Sequence, residues 1–200
     1  MSSSVWAAIL AGGTGRRLGG VEKGLIKIGG REIISIILES LKDFQTVIVC
    51  RDSNQAELYS VYGDVITDIF KEMGPLAGIH SALEHLGERL VIVSTDMPFV
   101  SPDICRFLYE ESVDCSAAVP VWSDGKFEPT LAAYTPEIRV NIEKCLRRGE
   151  KKVICAFKGV EKVKYIPVEV LRKFDPGLIS FTNINTPSDL KKAEKIINSM

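Results

Sequence analysis

Apolar and polar positions follow two rhythms along this chain of 200 residues. Short runs rich in β-branched residues predict strands at 5–10, 46–50, 64–67 and 90–95. Longer stretches with apolar residues three and four apart predict helices at 32–42, 76–87 and 102–111. That order is βαβ winding, which predicts an α/β, Rossmann-like three-layer domain around a mainly parallel central sheet. The second half is less regular. Strands are expected near 116–121, 129–134, 163–167 and 178–183 and helices near 136–147 and 188–199, with mixed pairing. No repeat, low-complexity tract or Pro/Gly/Ser-rich linker divides the chain, so one domain is expected over residues 1–200.

Composition narrows the class. With 46% hydrophobic residues the chain can bury a large core. Its 25 basic and 26 acidic residues give a net charge of −1, so no global attraction to nucleic acid or to an anionic membrane is expected, and any phosphate binding must be local. Met-Ser-Ser-Ser lacks the positive start of a leader and no apolar run is long enough to span a bilayer, which predicts a cytoplasmic protein. The five cysteines are widely spaced with no CxxC pair, so neither a zinc site nor a disulfide framework is expected.

Directly after the first strand the chain reads LAGGTGRRLGG from Leu10. Consecutive glycines permit positive φ and let backbone N–H groups face an anion at close range. A Walker loop would require Gly-Lys five positions after a glycine, and none is so placed. A dinucleotide fingerprint would require Gly-x-Gly-x-x-Gly running into a helix, whereas Gly13, Gly15 and Gly19 are spaced otherwise and further glycines follow. What remains is a long loop whose Arg16, Arg17 and Lys23 can neutralise a triphosphate, against the plain alternative of a solvated loop.

Asp96 follows the strand Leu90–Val93 at its carboxyl end, the edge where open α/β sheets bind ligands, and a hard carboxylate there suits Mg²⁺; an Asx turn is the alternative. Asp103 follows Ser101-Pro102 and reads as a helix N-terminal acid. Asp68 closes a strand and reads equally as a turn residue, and Gly74 and Gly78 flank a helix start where small residues permit close approach to a ligand or to another element. Thr186-Pro187-Ser188-Asp189 is a helix entry. Asn183 and Asn185, two apart in an expected extended segment, share a face and can read a polar heterocycle or satisfy loop backbone. Arg147, Arg148, Lys151 and Lys152 form a basic cluster, readable as an anion contact or a solvated helix end. His80 and His85 lie five apart, off a common helix face, and with Trp6 and Trp122 are read as packing residues.

The run LAGGTGRRLGGVEKGLIKIGG, followed in order by GPLAG, STDMPFVSPD, FEPTLAAY, RRGEKKV and NINTPSDL, resembles the molybdenum cofactor guanylyltransferases over nearly the whole chain. The resemblance implies a nucleotide-diphospho-sugar transferase-like fold, with the N-terminal half binding nucleotide and the C-terminal half binding acceptor. It implies nucleotide contacts from Leu10, Ala11, Gly12, Gly13, Arg16, Lys23, Asp68, Gly78 and Asp96, catalytic roles for Lys23, Arg17 and Asp96, a Mg²⁺ ion on Asp96, and acceptor contacts from Asn183 and Asn185. The implied reaction is transfer of GMP from GTP to Mo-molybdopterin with release of pyrophosphate. Its implied partners are GTP, a molybdopterin-type acceptor, and the cofactor-making or cofactor-receiving enzymes. Within the enzyme class the rivals are a cytidylyltransferase on the same cofactor and a guanylyltransferase for a phosphorylated sugar or cobinamide; outside it, a non-catalytic nucleotide-binding protein. Two positions depart from the common pattern. Glu22 stands where an Asp often precedes the lysine, with no metal role expected of it, and Phe127-Glu128-Pro129-Thr130 replaces variants with His or Gln before the proline.

Overall fold

A computed structural model describes residues 5–12, 14–15 and 20–199. The chain opens with β1 (Trp6–Leu10), passes two short antiparallel ribbons (Thr14–Gly15 with Val21–Glu22, then Lys27–Ile28 with Arg31–Glu32), and enters α1 (Ile33–Ser40). There follow β2 (Gln45–Cys50), α2 (Ser53–Tyr59), β3 (Val65–Thr67), α3 (Pro75–Leu86), β4 (Leu90–Ser94) and α4 (Pro102–Glu111). The remainder is β5 (Ala117–Val121), β6 (Leu131–Tyr134), α5 (Arg139–Arg147), β7 (Val163–Pro167) and α6 (Pro187–Ile197).

The main sheet has the order β7-β5-β6-β4-β1-β2-β3. β1 pairs in parallel with β2 and β4, β2 with β3, and β7 with β5; β6 runs antiparallel to both its neighbours. Because side chains alternate along a strand, Ala7 and Ile9 of β1 face one layer and Ala8 and Leu10 the other. The first layer buries Ile33, Ile34 and Ile37 of α1, Tyr59 of α2, Ile104 and Leu108 of α4 and Ala193 of α6. The second buries Leu76, Ile79 and Leu83 of α3 with Ile142, Cys145 and Leu146 of α5. Helices on both faces explain why the central strands read as continuous apolar runs. No helix among the described residues is long and apolar enough to cross a membrane.

Two departures from the sequence reading have local causes. Residues 53–59 form a helix because Asp52 caps it, its carboxylate accepting from the Gln55 N–H at 2.8 Å. Residues 178–183 do not form a strand. The Asp175 carboxylate accepts from both the N–H and the hydroxyl of Ser180 (2.8 and 2.7 Å), Leu178 adopts φ 51°, and Ile179–Phe181 close into a 3₁₀ turn. Two further 3₁₀ segments, Val153–Phe157 and Val168–Lys173, were also not foreseen.

Candidate active site

The carboxyl ends of β1, β2 and β4 open into a cleft of about 800 Å³, lined by residues that include Leu10, Gly12, Lys23, Arg51, Asp68 and Asp96. Its place follows from the winding. The chain leaves β1 toward β2 and β3 on one side and returns to β4 on the other, so the connections diverge at the β1 and β4 exits and leave a crevice there. Thr95 ties the two exits together, its N–H and its hydroxyl each donating to the Leu10 carbonyl at 3.1 Å. Ala11 is fixed on the other flank by its N–H bond to the Val49 carbonyl (2.9 Å), and Gly12 is exposed at the cleft rim. Gly13, Arg16 and Arg17 lie outside the described residues.

Both feet of the glycine loop are held by one buried side chain that the sequence pattern did not single out. The Gln55 amide donates to the Ala11 carbonyl (2.9 Å) and to the Glu22 carboxylate (2.5 Å), while its oxygen accepts from the Arg51 N–H (2.8 Å). Arg51 in turn makes a forked pair with Glu22, and its guanidinium also meets Asp52 at 3.1 Å. Both Glu22 oxygens are therefore engaged by protein donors, which gives this residue a scaffolding task. Asp52, placed ahead of a polar helical stretch, was the available signal for this network; nothing in the pattern marked Gln55.

Lys23 begins the 3₁₀ turn Lys23–Leu25, and its ammonium donates to the Asn185 side-chain oxygen at 2.6 Å. Gly24 permits that turn to lie against Tyr59, because a Cβ there would clash with the phenol ring. The segment bearing Asn183 and Asn185 is thus brought to the cleft from the far end of the chain, although not as a strand. Ile184 N–H donates to the Asp96 carbonyl (2.8 Å), and the Asn185 N–H donates to Asp189 (3.1 Å) ahead of α6. Asn183 turns its amide to the Phe181 carbonyl (3.3 Å) instead of sharing a task with Asn185.

Two carboxylates present oxygens with no hydrogen-bond partner among the described residues: Asp68 Oδ1 and Asp96 Oδ1, both buried. Burial pushes the Asp68 carboxyl up to about 7, with Lys71 opposing the shift. A buried, unpaired oxygen of this hard type fits a divalent cation such as Mg²⁺, which takes one or two carboxylates and completes its shell with phosphate oxygens and water. Gly78 serves packing here. A Cβ on it would come within 2.8 Å of the Leu10 side chain and 3.7 Å of Asp68 Oδ1, so its absence lets α3 close on β1. Gly74 takes φ 67° immediately before that helix.

The other residues singled out in the sequence have structural settings. Ser101 caps α4 with Asp103 in its first turn, and Thr186 and Asp189 form a reciprocal capping box. His80 is buried edge-on to Phe70 at 5.1 Å, and burial lowers its pKa. Of the basic cluster, Arg147 pairs with Glu143 (2.6 Å) and Arg148 with Glu150 (3.2 Å), while Lys151 lines the strand-end cleft. Glu128 is buried, its Oε1 accepting from the Trp122 indole (2.8 Å) and from Lys126 (2.7 Å), and Trp122 packs edge-on against Phe181 at 5.6 Å.

Known proteins resemble both the sequence and this geometry. A family model for the MobA-like NTP transferase domain matches residues 7–161. A probable molybdenum cofactor guanylyltransferase of Methanosarcina mazei is 36% identical over 196 residues, covering 92% of this chain and 88% of the relative. One from Pyrococcus horikoshii is 35% identical over 190 residues, covering 92% and 96%. The crystal structure of molybdopterin-guanine dinucleotide biosynthesis protein A from Archaeoglobus fulgidus has a TM-score of 0.91 at 43% identity, with 98% of this chain and 100% of that one covered.

Proposed function

The chain belongs to the MobA-like NTP transferase family, and from that premise we propose that it transfers GMP from GTP to the molybdenum cofactor, giving the guanine dinucleotide form and pyrophosphate. The observation that carries the reading is that Lys23, tethered by Asn185, and an Asp96 oxygen unpaired among the described residues belong to one strand-end cleft. A triphosphate there lies over the exposed backbone of Gly12 at the cleft rim, with the Lys23 ammonium balancing its charge. Arg16 and Arg17 follow on the same loop, and Arg17 is assigned the charge that builds on the leaving pyrophosphate.

An oxygen of the acceptor's phosphate attacks the α-phosphorus, a new P–O bond forms, and the bond to the β-phosphate bridging oxygen breaks. The acceptor oxygen is already anionic at neutral pH, so no side chain need take a proton from it. Positioning and charge neutralisation supply the catalysis. Mg²⁺, when bound, would neutralise phosphate oxygens and orient the α-phosphorus. Asp96 is the residue assigned to hold it, and Asp68 lines the same cleft. Asn185 has two tasks in this reading, holding Lys23 in the resting protein and bordering the acceptor.

Calorimetric titration with GTP, CTP, ATP and UTP, with and without Mg²⁺, followed by pyrophosphate release on adding Mo-molybdopterin, tests the proposal. GTP binding strengthened by Mg²⁺, with turnover only when acceptor is present, is the expected result. A preference for CTP would overturn the base assignment, and nucleotide binding without pyrophosphate release would overturn the transferase assignment.

A further inference from the structure

A second group of ligand-type side chains lies outside the cleft, where the sequence spacing gave no sign of one. Cys145, Glu150 and Cys155 each place a sulfur or carboxylate oxygen within 4.8 Å of the others, the only such group of three among the described residues. We propose that they form a binding site for one soft divalent cation of the zinc type, with water as a fourth ligand. Three observations support it.

First, the local backbone holds the three residues together. Cys145 lies in the last turn of α5, which is followed by Gly149 at φ 76°; there the Gly149 N–H donates to the Leu146 carbonyl (2.9 Å) and the Glu150 N–H to the Cys145 carbonyl (3.0 Å). This paired closure reverses the chain and returns Glu150 over Cys145. The 3₁₀ segment Val153–Phe157 then brings Cys155 alongside. Second, a positive group already rests on the cluster. Arg148 places Nη2 3.6 Å from the Cys145 sulfur and Nε 3.2 Å from Glu150. Its side chain is 63% exposed, so it can move into solvent when a metal takes its place. Third, the donor set suits the metal. Two sulfurs and one carboxylate at about 2.3 and 2.0–2.2 Å from a tetrahedral zinc stand within about 4 Å of one another, so the present spacing needs to contract by only about 1 Å. Glu150 is half-buried and gives the cation an approach from solvent.

Binding would replace two thiol protons, which pass to solvent, and would clasp residues 145–155 into a closed loop. Lys151, on that loop, lines the nucleotide cleft. A clasped loop would hold this lysine at the cleft rim.

The test strips the full-length protein with chelator and titrates Co²⁺. Expected are a sulfur-to-cobalt charge-transfer absorption that saturates at one equivalent, visible bands of tetrahedral type, and displacement by Zn²⁺. Cys155→Ser and Cys145→Ser should each diminish the charge-transfer band, and their combination should abolish it. Glu150→Gln, at a partly exposed position, should weaken binding while retaining the band, and it serves as the informative variant if the cysteine changes impair folding. Absence of the band in wild-type protein overturns the proposal. So does a band that survives in the double variant, or a Cys145–Cys155 disulfide in mass spectra of air-exposed protein that has no metal affinity when reduced. Cobalt at Asp96 has only oxygen ligands and gives no sulfur band, so the result is independent of the proposed transferase activity.

Discussion

The buried carboxylates on the nucleotide side of this protein and those in its C-terminal half are handled in opposite ways. Glu128 and Asp175 are each satisfied by two protein donors, from Trp122 and Lys126 in one case and from the backbone and hydroxyl of Ser180 in the other. Asp68 and Asp96 each keep a buried oxygen that no described residue satisfies. Leaving a buried polar group unpaired costs about 1–3 kcal/mol, more when it is charged. The first pair is satisfied within its own loops, and the second keeps the unpaired oxygens that the proposed function assigns to an incoming ligand. The contrast marks the binding edge of the sheet more sharply than the glycine loop does.

The strongest way to break this comparison is Asp96→Ala. If the free oxygen is functional, turnover should fall by about 10²–10³-fold while circular dichroism and Tm stay close to wild type, and near-normal pyrophosphate release would contradict the assignment. Asp68 offers a pH signature. Its carboxyl is pushed from 3.8 in an unfolded chain up to about 7 in the fold, so the native state binds the proton more tightly. Its contribution to stability is complete below the lower value and is lost as pH rises through the upper one, by at most about 4 kcal/mol. Denaturant titrations of nucleotide-free protein between pH 4 and 8 should show that fall, and Asp68→Asn should flatten it. On the partnered side the effect is reversed in kind. Glu128→Ala should cost about 2–3 kcal/mol of stability by orphaning the Trp122 indole, measured as a lower denaturation midpoint, with nucleotide affinity unchanged. Thr186→Ala, which removes one half of the capping box before α6, should cost about 1 kcal/mol in the same assay.

Legibility in the sequence followed the range of the interactions. The central strands β1, β2 and β4 and the long helices α3 and α4 were predicted within one or two residues, the strands because burial on both faces leaves an apolar run and the helices because apolar residues recur three and four apart. The mainly parallel sheet follows from their order. The place of Asp96 at a strand exit was readable for the same reason. What could not be read is held by contacts between distant positions. Gln55 reaches Ala11 across 44 residues and Lys23 reaches Asn185 across 162, and no local pattern records either. Residues 178–183 misled because apolar side chains favour a strand there, while a carboxylate five residues before Ser180 bends the backbone into a turn. No zinc site was expected among the cysteines because their spacing matches no motif; the proximity of Cys145, Glu150 and Cys155 arises from a helix end closed by Gly149, which no spacing records.

The bonds from Ile184 to Asp96 and from Lys23 to Asn185 bear on the order in which the fold can be completed during synthesis. The strands that frame the cleft leave the ribosome long before the segment that closes it. Until that segment has cleared the exit tunnel, the Lys23 ammonium lacks its tether and the backbone of Asp96 its partner. A nascent chain should therefore pass through a state with an assembled sheet and an open cleft. Its final step is the closure of a loop spanning most of the chain.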